Sequence, residues 1–297
     1  MGVEFAKGHG TQNDFVVLAD AEGKLELTDE RVRALCDRSR GLGADGVLRV
    51  VRSEHVADAP EGIEAEWFMD YRNADGSIAE MCGNGVRVFA NYLVHANLAQ
   101  PGGFLVGTRA GDRAVVVNDD GSVTVEMGPA RVFGESTATV GGRAFAGIAV
   151  DVGNPHLVCV TDVDLAELDL TVPPGHDPVM FPHGVNVEFV TEDPLAGSSS
   201  VTEDPLAGSS TGTALSASAI HMRVHERGVG ETRSCGTGTV AAVAAVLHRA
   251  GLDGGELVVN IPGGQVHVSV GDQTSTLTGP AVLVGEGTLS DAWWLSP

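Results

Sequence analysis

Residues 234–246 of the chain read SCGTGTVAAVAAV, and residues 81–94 read MCGNGVRVFANYLV. In each stretch a cysteine is followed by Gly-x-Gly and by a run of small or apolar residues, which predicts a helix that begins at the glycines. The two cysteines, Cys82 and Cys235, are separated by about half of the 297 residues. This repeated pattern indicates an internal duplication.

A second pair of matching segments supports the duplication. GTQNDFVVL places Asn13 in a turn before an apolar strand, and GNPHLVCV places Asn154 in the same setting. We therefore predict an α/β (α+β) fold with two pseudo-symmetric domains. The N-terminal half is expected to cover residues 1–128 plus 282–297, and the C-terminal half residues 129–281.

Two further segments give local predictions. Thr28 precedes DERVRALCDRSRG, which has acids in its first turn and basic residues in its last, so it predicts a capped helix that ends near Gly41. VTEDPLAGSSS is followed at once by VTEDPLAGSST, a tandem repeat with little to bury. We expect a flexible insertion at 191–217, flanked by strands 185–190 and 219–226 that pair as a hairpin. Asn186 and Glu226 would lie at the end of this hairpin away from the insertion.

Charge and cysteine spacing restrict the possible partners. The chain has 18 Lys and Arg residues against 40 Asp and Glu residues. Because the chain has a net charge of −22, we expect it to bind neither nucleic acid nor anionic membrane surfaces. No apolar run reaches the roughly 18–20 residues that span a membrane, and the N-terminus lacks the apolar core of a signal peptide. The four cysteines show no metal-binding spacing, so we expect a cytoplasmic protein with reduced thiols and no metal.

The position of each cysteine suggests its chemistry. Unpaired N–H groups at the start of a helix stabilise a thiolate and bind anions. One such cysteine is more often a buried apolar residue. Two equivalent cysteines that face one cleft could supply a base and an acid on opposite faces of a carbon atom. This arrangement predicts the inversion of a stereocentre in a small-molecule substrate.

Pyridoxal phosphate offers another route to amino-acid racemisation, and it requires a lysine for the Schiff base. The chain contains only Lys7 and Lys24, in segments without a phosphate-binding loop. We therefore predict a reaction without a cofactor.

The motifs GTQNDF, NADGSIAEMCGNGVR, GNPH, VNVEF and ERGVGETRSCGTGT, in this order, resemble those of the diaminopimelate epimerases. The resemblance covers essentially the whole chain outside 191–217. It implies two domains, each a curled mixed β-sheet around a central helix, with the active site in the cleft between them. It also implies interconversion of LL- and meso-2,6-diaminoheptanedioate in lysine and peptidoglycan precursor synthesis, without metal or cofactor.

The resemblance implies a role for individual residues. Cys82 and Cys235 would be the acid–base pair, and His156 and Glu226 would tune the two thiols. The substrate-binding residues would be Asn13, Asn73, Gly83, Asn84, Asn154, Asn186, Glu226, Arg227, Gly236 and Thr237.

Several alternatives remain open at this level. Proline and hydroxyproline racemases share the two-cysteine logic but carry histidine where this chain has Asn84, and phenazine-type isomerases do not use the cysteine pair. A non-catalytic module that binds anions at helix starts is a further alternative. Asn13 and Asn154 could serve only their turns, His156 could satisfy a backbone carbonyl, and Glu226 and Arg227 could form a solvated pair. Cys36 and Cys159 are interpreted as packing residues, and a homodimer is a possible assembly.

Overall fold

A computed structural model describes residues 2–194 and 217–296, which form two compact units. One unit comprises Met1–Glu126 and Thr278–Pro297, and the other comprises Met127–Leu277. No helix in these ranges is both long and apolar enough to cross a membrane. In chain order the elements are β1 (Val3–Gly10), β2 (Asn13–Ala19), α1 (Asp29–Cys36), β3 (Gly46–Arg52), β4 (Trp67–Asn73), α2 (Gly83–His95), β5 (Gly102–Val106), β6 (Arg113–Val117), β7 (Ser122–Gly128), β8 (Arg131–Val140), β9 (Arg143–Asp151), β10 (Pro155–Val160), β11 (Asn186–Pro194), β12 (Ala217–Glu226), β13 (Gly230–Thr232), α3 (Gly236–Arg249), β14 (Gly255–Ile261), β15 (Gly264–Val270), β16 (Ser275–Pro280), β17 (Val282–Leu289) and α4 (Asp291–Leu295).

The first unit contains a mixed sheet in the order β17-β1-β2-β3-β4. β2 and β3 run parallel, and α1 connects them, while the other neighbours are antiparallel. The helix α2 packs against β1, β2, β17 and β6. Its first eight residues are all buried, so the start of this helix is buried on every side and not along one apolar face alone.

The second unit contains the strand order β15-β14-β12-β11-β10-β9-β8, with the first residues of β16 beside β15. β10 is parallel to β11 and β12 is parallel to β14, so this sheet is also mixed. The helix α3 packs against β9, β10, β14 and β15. Eleven of its fourteen residues are buried, which the run of alanine and valine allows because small side chains let strands approach closely.

Both units follow one plan. In the first unit, β1 and β2 form a hairpin, β2 pairs in parallel with β3, β3 pairs antiparallel with β4, and α2 then begins after a cysteine. In the second unit, β9 and β10 form the hairpin, β10 pairs in parallel with β11, β11 pairs antiparallel with β12, and α3 begins after a cysteine. The predicted α/β class and the internal duplication are confirmed. The turn of the first hairpin holds Thr11 and Gln12 with φ of 50° and 63°, the left-handed conformation that tight hairpins require.

The helix α1 differs from its prediction in its C-terminal boundary. Thr28 caps its start, accepting a hydrogen bond from the Arg31 amide at 3.3 Å, as predicted. The helix ends at Cys36, whereas the sequence predicted an end near Gly41. Asp37 ends it because its carboxylate accepts the amides of Ser39 and Arg40 at 2.8 and 2.9 Å, a local turn that competes with helical bonding.

The hairpin that flanks the tandem repeat is confirmed, but its length was underestimated. β11 and β12 pair antiparallel, and the register runs from Val187 opposite His225 to Pro194 opposite Ala217. Residues 191–194 and 217 are therefore strand, so the predicted start of the insertion at 191 is wrong. The rest of the predicted insertion, 195–216, lies outside the described residues. Asn186 and Glu226 lie at the end of the hairpin away from it, as predicted.

Deletion of 195–216, with a Gly-Ser turn that joins Pro194 to Ala217, should leave the midpoint of thermal unfolding within about 3 °C of the full chain. The ladder of β11 with β12 ends at Pro194 and Ala217, so the deletion removes none of its pairs. Calorimetry on both proteins measures the effect. A deletion of 191–217, which also removes ladder residues, is the destabilised control, and equal midpoints for the two deletions would contradict the assigned strand ends.

Asp14 is expected to make stability depend on pH. Its partial burial raises the pKa, but hydrogen bonds from Arg38 and Lys7 outweigh this and lower the pKa of Asp14 from 3.8 to about 2. The contribution is therefore present above pH 4 and is lost as the pH falls towards 2, and we expect it to be roughly 1–2 kcal/mol. Asp14→Asn should unfold more easily than the wild type at pH 6 and about equally at pH 2, in urea titrations. The exposed Asp272→Asn serves as a control, and it should show no such convergence.

Candidate active site

Cys82 lies at the N-cap of α2 in an extended conformation, and its side chain is half-buried. The helix starts directly after it, since the Val86 amide bonds the Cys82 carbonyl at 2.8 Å. The amides of Gly83, Asn84 and the following residue belong to the first turn, whose N–H groups have no partner within a helix. The thiol therefore lies where negative charge is favoured.

Two asparagines adjoin this cysteine. The amide nitrogen of Asn13 donates to Asp45 Oδ2 at 2.8 Å, which turns Asn13 Oδ1 towards α2. That oxygen accepts from Cys82 Sγ at 3.6 Å and from Asn84 Nδ2 at 3.3 Å. Asn73 ends β4, and its amide donates to Ser77 Oγ at 3.0 Å within its own turn. The structure thus brings Asn13, Cys82 and Asn84 together.

Arg87, which sequence reasoning missed, is fully buried on α2. Its guanidinium donates to Thr11 Oγ1 at 3.0 Å and to the Pro280 carbonyl at 3.3 Å. In the described ranges, Nη1 has no hydrogen-bond partner, and the one charge that acts on this guanidinium is that of Cys82. Burial lowers the pKa of Arg87 to about 10, and negative charge on Cys82 acts in the opposite direction. The one sequence signal that could have identified a buried arginine is a basic residue inside the apolar stretch VRVFANYLV.

Cys235 is the N-cap of α3 and is buried. Its surroundings differ from those of Cys82. Burial, followed by the charges of Glu226 and Glu188, raises the pKa of the Cys235 thiol well above its ordinary value. Hydrogen bonds with Thr237, whose Oγ1 lies 3.6 Å from the sulfur, and with the Gly238 amide act in the opposite direction. The thiol is the favoured form.

His156 and Glu188 form a fully buried pair in which Nδ1 and Oε1 are 2.7 Å apart. The other ring nitrogen of His156 lies 3.0 Å from Asn154 Oδ1. His156 therefore bonds two side chains, so the alternative that it only satisfies a backbone carbonyl is wrong. Glu188 was missed by sequence reasoning, although an acid inside the apolar strand VNVEFV was a visible signal.

Glu226 and Arg227 have separate partners. Thr232 donates to the Glu226 carboxylate, and burial raises the pKa of Glu226. The Arg227 amide donates to Asn186 Oδ1 at 2.8 Å, and its guanidinium donates to the His183 carbonyl at 3.1 Å. The alternative of a solvated pair between Glu226 and Arg227 is therefore wrong for the described chain.

The sequence-predicted residues thus fall into two sets. In the first unit lie Asn13, Asn73, Cys82, Gly83 and Asn84. In the second unit lie Asn154, His156, Asn186, Glu226, Arg227, Cys235, Gly236 and Thr237. Cys36 and Cys159, interpreted as packing residues, are buried in the cores. Residues 2–194 and 217–296 contain no group of three or more His, Cys, Asp or Glu side chains that could hold a metal ion.

Solved structures with the same fold include proteins of several activities. A phenazine biosynthesis protein of the PhzF family from Bacillus anthracis matches with a TM-score of 0.67, at 16% identity, over 98% of this chain and 99% of that one. A hydroxyproline epimerase from Agrobacterium vitis matches with a TM-score of 0.62, also at 16% identity, over 97% of this chain and 92% of that one. At this identity the likeness shows the fold alone.

Sequence comparison is more specific. The family model described as diaminopimelate epimerase matches residues 5–133 and 148–284. A diaminopimelate epimerase from Rhodococcus erythropolis is 54% identical over 99% of this chain and 98% of its own length. Another from Mycolicibacterium smegmatis is 54% identical over 98% of both chains. The chain therefore belongs to the diaminopimelate epimerase family, and it is an isomerase of the racemase and epimerase type.

Proposed function

We propose that this chain converts LL-2,6-diaminoheptanedioate to its meso form with two cysteines and no cofactor, as a step towards lysine and peptidoglycan precursors. The observation that carries the proposal is the pair of cysteines at equivalent helix starts with opposite charges beside them. Cys82 has the buried Arg87 near it, and Cys235 has Glu226 and Glu188. The choice of substrate rests on the relatives, which are named diaminopimelate epimerase. We expect the reaction in the cytoplasm, where thiols stay reduced.

The chemistry needs one base and one acid. The Cys82 thiolate removes the α-proton, and the electron pair left on the carbon is delocalised into the adjacent carboxylate. Cys235 then donates its S–H proton to the opposite face of the same carbon. The product carries the inverted centre, Cys82 is left as a thiol and Cys235 as a thiolate. The reverse reaction uses the same two groups with exchanged roles.

Arg87 and the acids of the second unit favour this starting state. A buried guanidinium whose charge acts on Cys82 stabilises a thiolate there. Glu226 and Glu188 disfavour a second thiolate at Cys235. The proposal thus assigns the first proton abstraction to Cys82.

Substrate recognition follows from the groups around each cysteine. First-turn amides at Gly83 and Asn84, and at Gly236 and Thr237, can donate to a carboxylate and to the negative charge that develops on it. The substrate has an amino and a carboxylate group at each end. Side-chain amides suit such groups because they both donate and accept hydrogen bonds, and Arg227 adds an exposed cation. The residues that would provide these side-chain amides are Asn13, Asn73, Asn84, Asn154 and Asn186.

The positions of the lysines support a route without a Schiff base. Lys7 Nζ bonds the Asp14 carboxylate and the Gly43 carbonyl, so its amine is held in an ion pair. Lys24 is exposed and lies 4.0 Å from Glu22. A Schiff base requires an amine that is available to condense with an aldehyde, whereas Lys7 uses its amine in these contacts.

The direct test follows deuterium in D₂O. LL- and meso-diaminopimelate should each gain deuterium at the α-carbon with the purified chain, as measured by NMR, while proline should not. Cys82→Ser and Cys235→Ser should each lower kcat by at least about 10³-fold, because a hydroxyl is a far weaker acid than a thiol. Cys36→Ala is the matched control and should retain activity. Exchange into proline alone would assign the chain to a different substrate.

Arg87→Met should slow proton abstraction while the chain stays folded. Methionine fills similar volume without charge, and a buried cation can be replaced by an apolar residue without loss of stability. Without the cation, the thiolate fraction of Cys82 should fall about tenfold, and the acidic limb of kcat/KM should move to higher pH by about one pH unit. The rate of Cys82 alkylation by iodoacetamide at pH 7 measures the same change. The exposed Arg40→Met should leave both unchanged, and an unaltered Arg87→Met profile would exclude this role.

A further inference from the structure

Glu188 is an acid in the interior of the second sheet. It lies on β11 opposite Val158 of β10 and Val224 of β12, and its side chain is fully buried. Oε1 contacts His156 Nδ1 at 2.7 Å, whereas Oε2 has no hydrogen-bond partner among residues 2–194 and 217–296. A buried acid with so few partners is unfavourable for folding, so a strand that retains one calls for another explanation.

The carboxyl group also approaches the acid–base cysteine. A Cβ atom at Gly238, in the first turn of α3, would lie 2.8 Å from Glu188 Oε1 and 3.2 Å from Cys235 Sγ. A side chain at this point would displace the Glu188 carboxyl group. Because both atoms lie beside the same point, the carboxyl group and the sulfur adjoin the same small space above Gly238.

The hydrogen bonds link Glu188 to Asn154 through the His156 ring. Glu188 Oε1 lies 2.7 Å from Nδ1, and Asn154 Oδ1 lies 3.0 Å from Nε2, so the carboxyl group holds the ring and the ring holds the Asn154 amide. With Oδ1 of Asn154 against the ring, its amide N–H groups are the ones that can donate to an anionic group of a substrate.

We propose that Glu188 is a positioning residue that holds His156 by a hydrogen bond, orients Asn154 through it, and favours the protonated form of Cys235. This role deepens the proposed function and rests on it. The titratable groups that face Glu188 are His156 and Cys159 from β10, Glu226 from β12 and Cys235 from α3. Removal of Glu188 therefore leaves Glu226 as the one acid among them that still acts on Cys235.

Glu188→Gln tests the proposal, because it keeps the shape of the side chain and removes its charge. The tryptic peptide 234–249 contains Cys235 as its one cysteine, so mass spectrometry can follow its labelling by iodoacetamide. Since the thiolate is the reactive form, we expect labelling of Cys235 at pH 8 to become about tenfold faster. The basic limb of kcat/KM should move to lower pH by about one pH unit, and KM should rise as Asn154 loses its orientation.

Glu192→Gln is the matched control, since it removes an acid from the same strand, where Glu192 pairs with Arg249 at the surface. It should change neither the labelling nor the pH profile. Glu188→Leu provides a second variant of similar size if the glutamine variant is unstable, and it should accelerate labelling equally. A folded Glu188→Gln or Glu188→Leu that labels Cys235 at the wild-type rate would overturn the proposal, whatever its loss of activity.

The labelling readout separates this proposal from the proposed function. It requires no turnover, so it applies even to a chain that exchanges no deuterium into diaminopimelate. Faster labelling without any epimerisation would support the control of Cys235 by Glu188 and refute the proposed reaction.

Discussion

Each unit of this protein depends on one constraint, which is the burial of a helix start. The first N–H groups of an α-helix have no partner inside the helix, and in α2 and α3 the residues that carry them are almost all buried. Burial of such a terminus is tolerable where side chains, a ligand or negative charge can meet these groups. The surrounding sheets, the glycines and the cysteine N-caps are all consistent with a terminus kept available for an anionic ligand.

The two units have nearly the same backbone at the cysteine, but different charged groups beside it. Cys82 and Cys235 have nearly the same extended conformation, with φ of −144° and −127° and ψ of 117° and 112°. What differs is the ionisable group that interacts with each sulfur, a guanidinium in one unit and carboxyl groups in the other. Two symmetric thiols would have equal affinity for a proton. Acid–base chemistry at one carbon requires that one group holds the proton while the other lacks it, and single substitutions in a repeated fold can provide this difference.

The sequence predicted the parts of the structure that local patterns control. The helix starts at Cys82 and Cys235, the cap at Thr28 and the hairpin beside the tandem repeat all follow from short motifs. The end of α1 did not, because the side chain of Asp37 decides it by competing with the helix. The ladder beyond residue 190 was also missed, since backbone pairing extends a strand even where its side chains are polar.

The same distinction between local patterns and tertiary structure applies to the candidate site. Asparagines in turns and cysteines at helix starts were identified from motifs, and their roles remain predictions. Arg87 and Glu188 were missed because their importance arises from what surrounds them after folding. A charged residue in an apolar run is as compatible with an exposed position as with a buried one, and only the tertiary structure tells these cases apart. Residue type and motif therefore identified the candidate acid–base cysteines, but not the buried charged residues beside them.

The close approach at Gly238 couples two positions on different elements. A methyl group there would lie 2.8 Å from Glu188 Oε1, so the carboxyl group would have to move, and with it the contact that it makes with His156 Nδ1. The glycine therefore maintains the geometry of a buried hydrogen bond on a neighbouring strand, in addition to its place at the start of its own helix.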